Sequence, residues 1–479
     1  MIDVVPGARI DAFIVGECVH SGAMGRLFEV SGPATGFPML MKVPRFDRSC
    51  DPAEALLAFE TEALILPRLG GIHVPRFVAA GDVTTVPYIV MERVPGTSLE
   101  ERATPMLPAG EVARIGAAIA DALHGIHAQD VIHLDLKPGN VIMRPDGTAV
   151  LIDFALSHHR HLPDLLAEER RYVSGSAPYI SPEQVRGSRT DARSDLFALG
   201  VVLYEVATAQ LPFGIPRTLA GLRDRLWIDP RPPRAHEADL PPWLQEVILR
   251  CMEVDAQRRY QSAAHVAFDL RNADQVTLTA RAGKSERKGV LKQVGRWWDA
   301  REIGSLPVSA DDGLAHAPVV MVAVDTRHPD DLRQAELQRV TRRILSLSTE
   351  FRLICVSVVP SEIGAGNSDA QLAHRIELRQ WIRPLGIEPH RVTLHVLEAG
   401  DPAGALVDFA RRNNVDLIVL GAPAPDERTF AWWRSVASSV TANAPCSVHV
   451  VRRSGEAYDF DARHAPDGVE SARNGVKPD

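Results

Sequence analysis

The octapeptide His133-Leu134-Asp135-Leu136-Lys137-Pro138-Gly139-Asn140 carries the strongest signal in the sequence, because an acid, a lysine and an amide stand close together in it. A further acid, Asp153, follows the apolar run Ala149–Ile152 shortly afterwards. Transfer of a phosphoryl group needs a base for the acceptor hydroxyl, positive charge for the phosphates and oxygen ligands for magnesium. Side chains of each of these types occur in this one region of the chain.

The octapeptide resembles the catalytic loop HRDLKPxN of the eukaryotic-like Ser/Thr protein kinase family, and the resemblance covers roughly residues 10–272. It implies that Asp135 orients the acceptor hydroxyl and takes its proton, and that Lys137 neutralises charge on the γ-phosphate. Asn140 and Asp153 would then hold magnesium. A lysine two residues after the aspartate is typical of Ser/Thr kinases rather than tyrosine kinases.

A glycine-containing turn near the N-terminus matches the phosphate-binding loop of the same family. Gly22 and Gly25 would let backbone N–H groups approach the phosphates. Val19 and Leu27 would enclose the nucleotide base. Kinases usually have a third glycine in this turn, where this chain has His20.

Lys42 matches the strand lysine that binds the α- and β-phosphates in protein kinases. Its expected partner is Glu62, which lies on a helix predicted over residues 52–69. Glu60 is the competing choice. Glu62 fits better because it lies four residues before Leu66 in the apolar stripe of the helix.

The resemblance places the hinge between the lobes at Met91–Val94, with Met91 at the entrance to the back pocket of the nucleotide site. Glu92 and Val94 are expected among the cofactor-binding residues. It implies ATP and Mg²⁺ as cofactors. Protein substrates with Ser or Thr are expected, including the chain itself. The expected activity is that of a non-specific Ser/Thr protein kinase.

Three other features separate protein kinases from small-molecule kinases. Ser181-Pro182-Glu183 occupies the place of the family motif APE. Arg259 is expected to form a buried ion pair with Glu183. Asp195 is expected to hold the backbone of the catalytic loop. These roles are structural, so their loss should lower stability as well as activity.

Departures from the family pattern leave a second hypothesis open, an ATP-binding pseudokinase scaffold in stress signalling. Leu134 replaces an arginine that grips a phosphate on the activation loop in most regulated kinases, so activity should not depend on that phosphate. Ala155 replaces the glycine of DFG and should make the loop flip out less readily. Neither change, nor His20, removes a metal ligand or the base, so an active kinase is favoured.

The second half of the chain alternates apolar, strand-like runs with helix-like segments, which predicts a parallel sheet with helices on its faces. The strand-like runs are 319–325, 352–359, 391–398, 416–421 and 446–451, and the helix-like segments lie near 329–349, 369–383, 402–413 and 429–442. Residues 317–452 resemble the universal stress protein family, an α/β fold with five parallel strands. The resemblance implies adenine contact at Asp325 in nucleotide-binding members.

The phosphate signature of the stress-protein family survives only in part. The signature is G-x2-G-x9-G-[ST], and at the same spacing this chain has Gly421, Ala424 and Arg434-Ser435. One of the three glycines therefore remains. Arg434 would obstruct backbone approach, which favours no tight ATP binding, although Arg434 and Ser435 could themselves contact a phosphate. By analogy with the family, the closing strand near 446–452 predicts a homodimer through this domain.

These patterns predict a multidomain chain, α+β and then α/β, with a bilobal protein kinase fold followed by a five-stranded stress-protein fold. The expected domain limits are 10–272 for the kinase, with lobes of about 10–94 and 95–272, then a basic linker over 273–315, a stress domain over 316–453 and a disordered tail over 454–479. The Trp-containing basic segment 281–301 could touch an anionic membrane surface. Packing against one of the domains is favoured.

Composition excludes several other classes of protein. The 479 residues are 45% hydrophobic and 24% charged, with a net charge of -8, which gives no overall field for nucleic acid. Five scattered cysteines without a CxxC pair argue against a disulfide framework and against zinc. No signal peptide and no apolar run of spanning length occur in the sequence, so a cytoplasmic protein is expected.

Overall fold

The computed structural model describes most of both halves of the chain. The described residues are 4–22, 25–45, 52–81, 86–102, 106–169, 175–216, 218–285, 318–327, 331–346, 351–360, 368–388, 391–422 and 431–452. The basic segment beyond residue 285 and the tail over 454–479 lie outside them. Arg281, the first basic residue of that segment, is bonded to Glu246 and Glu253 and so packs on the first domain.

An antiparallel sheet of six strands forms the N-terminal lobe, in the order β1-β2-β3-β4-β6-β5. The strands are β1 Arg9–Ile10, β2 Phe13–Ser21, β3 Gly25–Ser31, β4 Met39–Pro44, β5 Phe77–Ala80 and β6 Ile89–Glu92. Alternate side chains such as Val15, Phe28 and Met41 point into one buried apolar cluster. This period of two fixes which face of β4 presents Lys42.

Helix α1, Pro52–Ile65, packs beside this sheet and is buried from Ala55 to Glu62. The sequence predicted one helix over 52–69. The α-helix ends earlier, at a 3₁₀ turn over Leu66–Arg68, because Pro67 lacks the N–H that a continuing helix would use.

The second lobe is mainly helical. Its helices are α2 Leu99–Arg102, α3 Ala109–His127, α4 Leu165–Glu169, α5 Pro182–Val185, α6 Arg193–Thr208, α7 Leu219–Arg223, α8 Pro242–Cys251 and α9 Ala263–Arg271. Helix α6 is buried along almost its whole length, because most of its residues are apolar. Helices α8 and α9 are separated by a turn in which Arg259 points inward to Glu183, and the Ser262 side chain caps the start of α9.

Five short strands frame the octapeptide in the second lobe. They are β7 Thr97–Ser98, β8 Val131–Ile132, β9 Val141–Met143, β10 Ala149–Leu151 and β11 His158–His159. The octapeptide runs from the end of β8 to the start of β9, and Asp153 follows β10. Because β9 and β10 are paired, the two segments lie side by side.

As the sequence predicted, the second domain has a parallel five-stranded sheet, and the order of its strands is β14-β13-β12-β15-β16. Its strands are β12 Val319–Ala323, β13 Arg352–Val359, β14 Val392–Glu398, β15 Leu417–Ala422 and β16 Ser447–Arg452, and its helices are α10 Asp331–Leu345, α11 Ser368–Ile382, α12 Pro402–Arg412 and α13 Ala431–Asn443. Apolar clusters cover both faces, with Phe409 on one side and Trp381 on the other. In the described residues, no helix is long and apolar enough to cross a membrane.

Candidate active site

Three charged side chains from separate elements meet at the junction of the two lobes. Lys42 of β4 lies 2.5 Å from Glu62 of α1 and 2.7 Å from Asp153, measured from Nζ to the carboxylate oxygens. The backbone N–H of Phe154 also donates to Glu62 over 3.3 Å. Glu60, the competing partner for Lys42, is bonded to other residues.

The electrostatics of this cluster keep Lys42 and Asp153 ionised. Burial by itself would lower the pKa of Lys42, but the carboxylates of Asp153 and Glu62 hold that pKa above its ordinary value. Burial by itself would raise the pKa of Asp153, but Lys42 holds it below its ordinary value. Each charge therefore depends on the other for its stability in a buried position.

The octapeptide gathers a second polar cluster around Asp135. Lys137 Nζ and Asn140 Nδ2 both donate to Asp135 Oδ2 over 3.0 Å. Asn140 Nδ2 also donates to the backbone oxygen of Asp135 over 2.9 Å. Because its amide nitrogen is committed in this way, the carbonyl oxygen of Asn140 is the group left to face a cation.

Ser176 lies directly on this second cluster. Its backbone N–H donates to Asp135 Oδ1 over 2.8 Å, and its hydroxyl accepts from Lys137 Nζ over 3.0 Å. In the sequence, Ser176 occupies the place of the substrate-facing threonine of the motif GTxxY. The segment that contains Ser176 is therefore held against the carboxylate that would serve as base.

The backbone on both sides of the site is in a left-handed conformation. Leu134 has a φ of 61° and Asp153 a φ of 67°, values that residues with a Cβ seldom adopt. Asp195 Oδ1 accepts from the N–H of Leu134, and Asp195 Oδ2 accepts from the N–H of His133 and contacts His127 Nε2, each over 2.8 Å. Burial would raise the pKa of Asp195, but His127 and the other donors hold it low.

The glycine-containing turn joins β2 to β3, and β3 pairs with β4, the strand that carries Lys42. The N–H of Gly22 donates to the oxygen of Gly25 over 2.9 Å, and a Cβ at Gly25 would lie only 2.9 Å from the oxygen of Val43. Val19 is exposed and Leu27 is half-buried, on strands β2 and β3. Ala23 and Met24, at the tip, lie outside the described residues.

The expected hinge follows β6, with Met91 buried and Val94 half-buried. The Glu92 carboxylate is already engaged, since it accepts from Arg144 over 2.9 Å and from the N–H of Arg76 over 3.3 Å. A nucleotide contact at this position would therefore use the backbone of Glu92 and not its side chain.

A buried ion pair lies behind the site. Arg259 donates to both carboxylate oxygens of Glu183 over 2.9 Å, and Arg259 is 1% exposed. Gln184 donates through Nε2 to the backbone oxygen of Leu134 over 2.8 Å. Sequence reasoning missed Gln184 and His127, because a lone Gln or His carries no signal of which distant backbone or carboxylate it will meet.

The expected nucleotide residues of the second domain are only partly described. Asp325 follows β12, and its Oδ1 accepts from the N–H of Arg327 over 3.0 Å. Gly421 lies in β15. Ala424 and the side chains of Arg434 and Ser435 lie outside the described residues.

Comparison with known proteins agrees with both halves of this description. Residues 13–269 match the model of the protein kinase domain, and residues 318–452 match that of the universal stress protein family. A probable serine/threonine-protein kinase PknB of Corynebacterium glutamicum is 34% identical over 270 residues, which cover 54% of this chain and 42% of that protein. PknB of Mycobacterium tuberculosis is 31% identical over 272 residues, covering 55% and 43%.

The chain thus spans about two fifths of the length of these curated relatives. Among solved structures, the kinase domain of PknI from Mycobacterium tuberculosis is 22% identical, with a TM-score of 0.44, over 56% of this chain and 99% of that chain. The family match at 13–269 spans more than half of the sequence. The chain belongs to the protein kinase family and carries a universal stress protein domain after its kinase domain.

Proposed function

We propose that the chain is an active Ser/Thr protein kinase that transfers the γ-phosphoryl group of Mg-ATP to Ser or Thr side chains of proteins, itself included. One observation carries the proposal: the Lys42–Glu62–Asp153 cluster and the Asp135–Lys137–Asn140 cluster both form, on adjacent segments. Together they supply every charged or polar group that phosphoryl transfer by this family requires.

The first cluster would bind the nucleotide. Lys42 would contact the α- and β-phosphates, with Glu62 holding its ammonium group in place. Gly22 and Gly25 would bring backbone N–H groups to the phosphates, and Val19, Leu27 and the hinge backbone would enclose the base. A carboxylate at Asp153 and an amide oxygen at Asn140 are the hard oxygen ligands that suit Mg²⁺, which would neutralise charge on the β- and γ-phosphates.

The second cluster would act on the acceptor hydroxyl. Asp135 would orient that hydroxyl and accept its proton, while Lys137, which lies 3.0 Å from the Asp135 carboxylate, would neutralise the γ-phosphate as it is transferred. Ser176, bonded to both residues, would keep the substrate-facing segment next to the base.

The pseudokinase alternative is not favoured. Its three supporting residues, His20, Leu134 and Ala155, do not replace any charged or amide side chain of the two clusters. Two of the three, Leu134 and Ala155, are buried in packing positions. The named relatives are serine/threonine kinases over the matching region.

Phosphate transfer from γ-labelled ATP tests the proposal directly. The purified full chain should label itself and a generic basic protein in the presence of Mg²⁺, and Asp135→Ala should abolish the labelling. Asp239→Ala, an exposed aspartate of the same lobe, is the matched control and should label normally. No labelling by the wild type would reject the enzyme, and labelling by Asp135→Ala would reject the assignment of the base.

We also propose that the stress domain pairs two chains. Strand β16 is the last strand of the described sheet, after β15, so its outer edge can bond to another strand. Light scattering of the full chain should give a dimer, and His449→Pro, which removes a ladder donor from β16, should give a monomer. A wild-type monomer at micromolar concentration would reject this arrangement.

A further inference from the structure

We propose that helix α11 of the stress domain clamps helix α1 of the kinase domain in the position that pairs Glu62 with Lys42. Arg375 and Arg379 of α11 would then be positioning residues for phosphoryl transfer. The inference rests on the proposed kinase activity for its effect on rate, but the clamp itself is a physical contact that can be tested without activity.

An ionic contact joins the two helices. Arg379 Nη1 donates to Glu60 Oε1 over 2.6 Å, and Arg375 Nη2 lies 3.6 Å from Glu60 Oε2. Glu60 is 9% exposed and Arg375 is 4% exposed, so water does not screen this contact as it would on an open surface. Loss of Glu60 would leave the buried charge of Arg375 with one partner fewer, which is costly, whereas loss of the partly exposed Arg379 would still leave Arg375 beside Glu60.

Apolar packing lies beside the ionic contact. Leu372 is buried and Ile376 partly buried in the same continuous cluster as Leu56 and Phe59 of α1. Leu372, Ile376 and Arg379 follow one another at spacings of four and three, so they share one face of α11. The contact therefore has an apolar part and a charged part on a single helical face.

The two glutamates of α1 point to opposite sides of the helix. Glu60 and Glu62 are two residues apart, which is about 200° of rotation at about 3.6 residues per turn. Glu62 reaches Lys42 on one side, and Glu60 reaches α11 on the other. An outward swing of α1 that separates Glu62 from Lys42 must therefore also change the Glu60–Arg379 contact.

Helix α11 is firmly seated in its own domain. Leu378 and Trp381 are buried under the sheet. Gln338 Nε2 donates to the backbone oxygen of Trp381 over 2.7 Å, and His374 Nδ1 lies 2.8 Å from the hydroxyl oxygen of Thr326, just after β12. The stress domain therefore fixes the position of α11. Through the contact of α11 with α1, that domain is connected to the Glu62–Lys42 pair.

A charge-swap cycle on the full chain tests the clamp, with Arg379→Glu, Glu60→Arg and the double variant. Arg379→Glu should lower kcat about tenfold, a usual size for coupling between two sites, with a smaller change in KM for ATP because the hinge is untouched. The double variant, which keeps the net charge of the Glu60, Arg375 and Arg379 trio, should recover part of the loss. Arg383→Glu, an exposed arginine just after α11, is the matched control and should keep the wild-type rate.

Hydrogen–deuterium exchange of residues 52–65 is the readout that does not need activity. Exchange there should be faster in Arg379→Glu than in Arg383→Glu, slower again in the double variant, and unchanged in α6 throughout. If the loss of kcat in the double variant equals the product of the losses in the two single variants, Glu60 and Arg379 are not coupled and the clamp is rejected. Equal exchange of residues 52–65 in Arg379→Glu and Arg383→Glu would also reject it. A wild type without phosphotransfer would reject the kinase proposal, and the exchange data would still decide the clamp.

Discussion

Asp195 and Leu134 are joined by a hydrogen bond of 2.8 Å from the backbone N–H of Leu134 to the buried carboxylate. Leu134 directly precedes the proposed base, Asp135, and has a φ of 61°. A residue held in this region costs about 1–3 kcal/mol, which the surrounding contacts must offset. Asp195 supplies that offset from the helix α6, and Gln184 adds a bond to the oxygen of Leu134.

Asp195→Asn should therefore lower both stability and activity. The amide nitrogen of Asn cannot accept, so one of the two backbone N–H groups at His133 and Leu134 loses its partner in a buried site. We expect a loss of roughly 1–3 kcal/mol in the free energy of unfolding of the kinase domain, together with a fall in kcat. Denaturant unfolding and initial rates measure the two effects. Asp239→Asn is the control, and equal behaviour of the two variants would contradict the assignment.

The Arg259–Glu183 pair predicts an asymmetric result. Arg259→Met should destabilise the kinase domain by about 3–5 kcal/mol, because the Glu183 carboxylate stays buried without a partner. Replacing both residues, as Glu183→Leu with Arg259→Met, should restore part of the stability, because three backbone oxygens that accept from Arg259 still lose their donor. Calorimetry of the full chain gives the unfolding temperature of the domain. Arg258→Met, at the exposed neighbouring arginine, should have little effect. A double variant no better than Arg259→Met would contradict this account.

Local sequence predicted a large part of the site. Asp135, Lys137 and Asn140 stand within one short segment between two paired strands, so their meeting follows from chain connectivity. The parallel arrangement of the second sheet also followed from alternating strand and helix segments, whereas the order of its strands did not. In both cases, the relevant neighbours are close in sequence or are fixed by a regular period.

Contacts over long sequence distances could not be predicted in the same way. The sequence offers Glu60 as a competing partner for Lys42, yet Glu60 pairs with Arg379 in the other domain. The helical period shows that Glu60 and Glu62 face different sides, but it does not show which surface meets the Glu60 side. The turn between α8 and α9 also depends on a distant contact, since Arg259 points inward there to reach a glutamate far along the chain.

Activity should not require phosphorylation of the activation loop. Leu134, in place of a phosphate-gripping arginine, is 3% exposed and cannot pair with a phosphate. Ser157 is 2% exposed, and its hydroxyl donates to the backbone oxygen of His133 over 3.1 Å. This hydroxyl is therefore buried and already bonded. Ser174 lies outside the described residues. Phosphatase-treated wild type and Ser174→Ala should both keep initial rates on an external substrate within about twofold, a difference of less than 0.5 kcal/mol in barrier. A tenfold loss in either sample would show that a phosphate is needed.

The alanine after Phe154 should limit how readily the Asp153 segment flips out. Ala155 is 4% exposed, and a Cβ restricts the backbone conformations open to this position. Ala155→Gly should raise affinity for inhibitors that need the flipped-out loop by about two- to fivefold, which corresponds to a backbone preference of about 0.5–1 kcal/mol. Calorimetric titration measures this affinity. An inhibitor that binds without the flip is the control and should show equal affinity for both proteins. Unchanged or weaker binding of the flip-dependent inhibitor to Ala155→Gly would mean that Ala155 does not hold the loop.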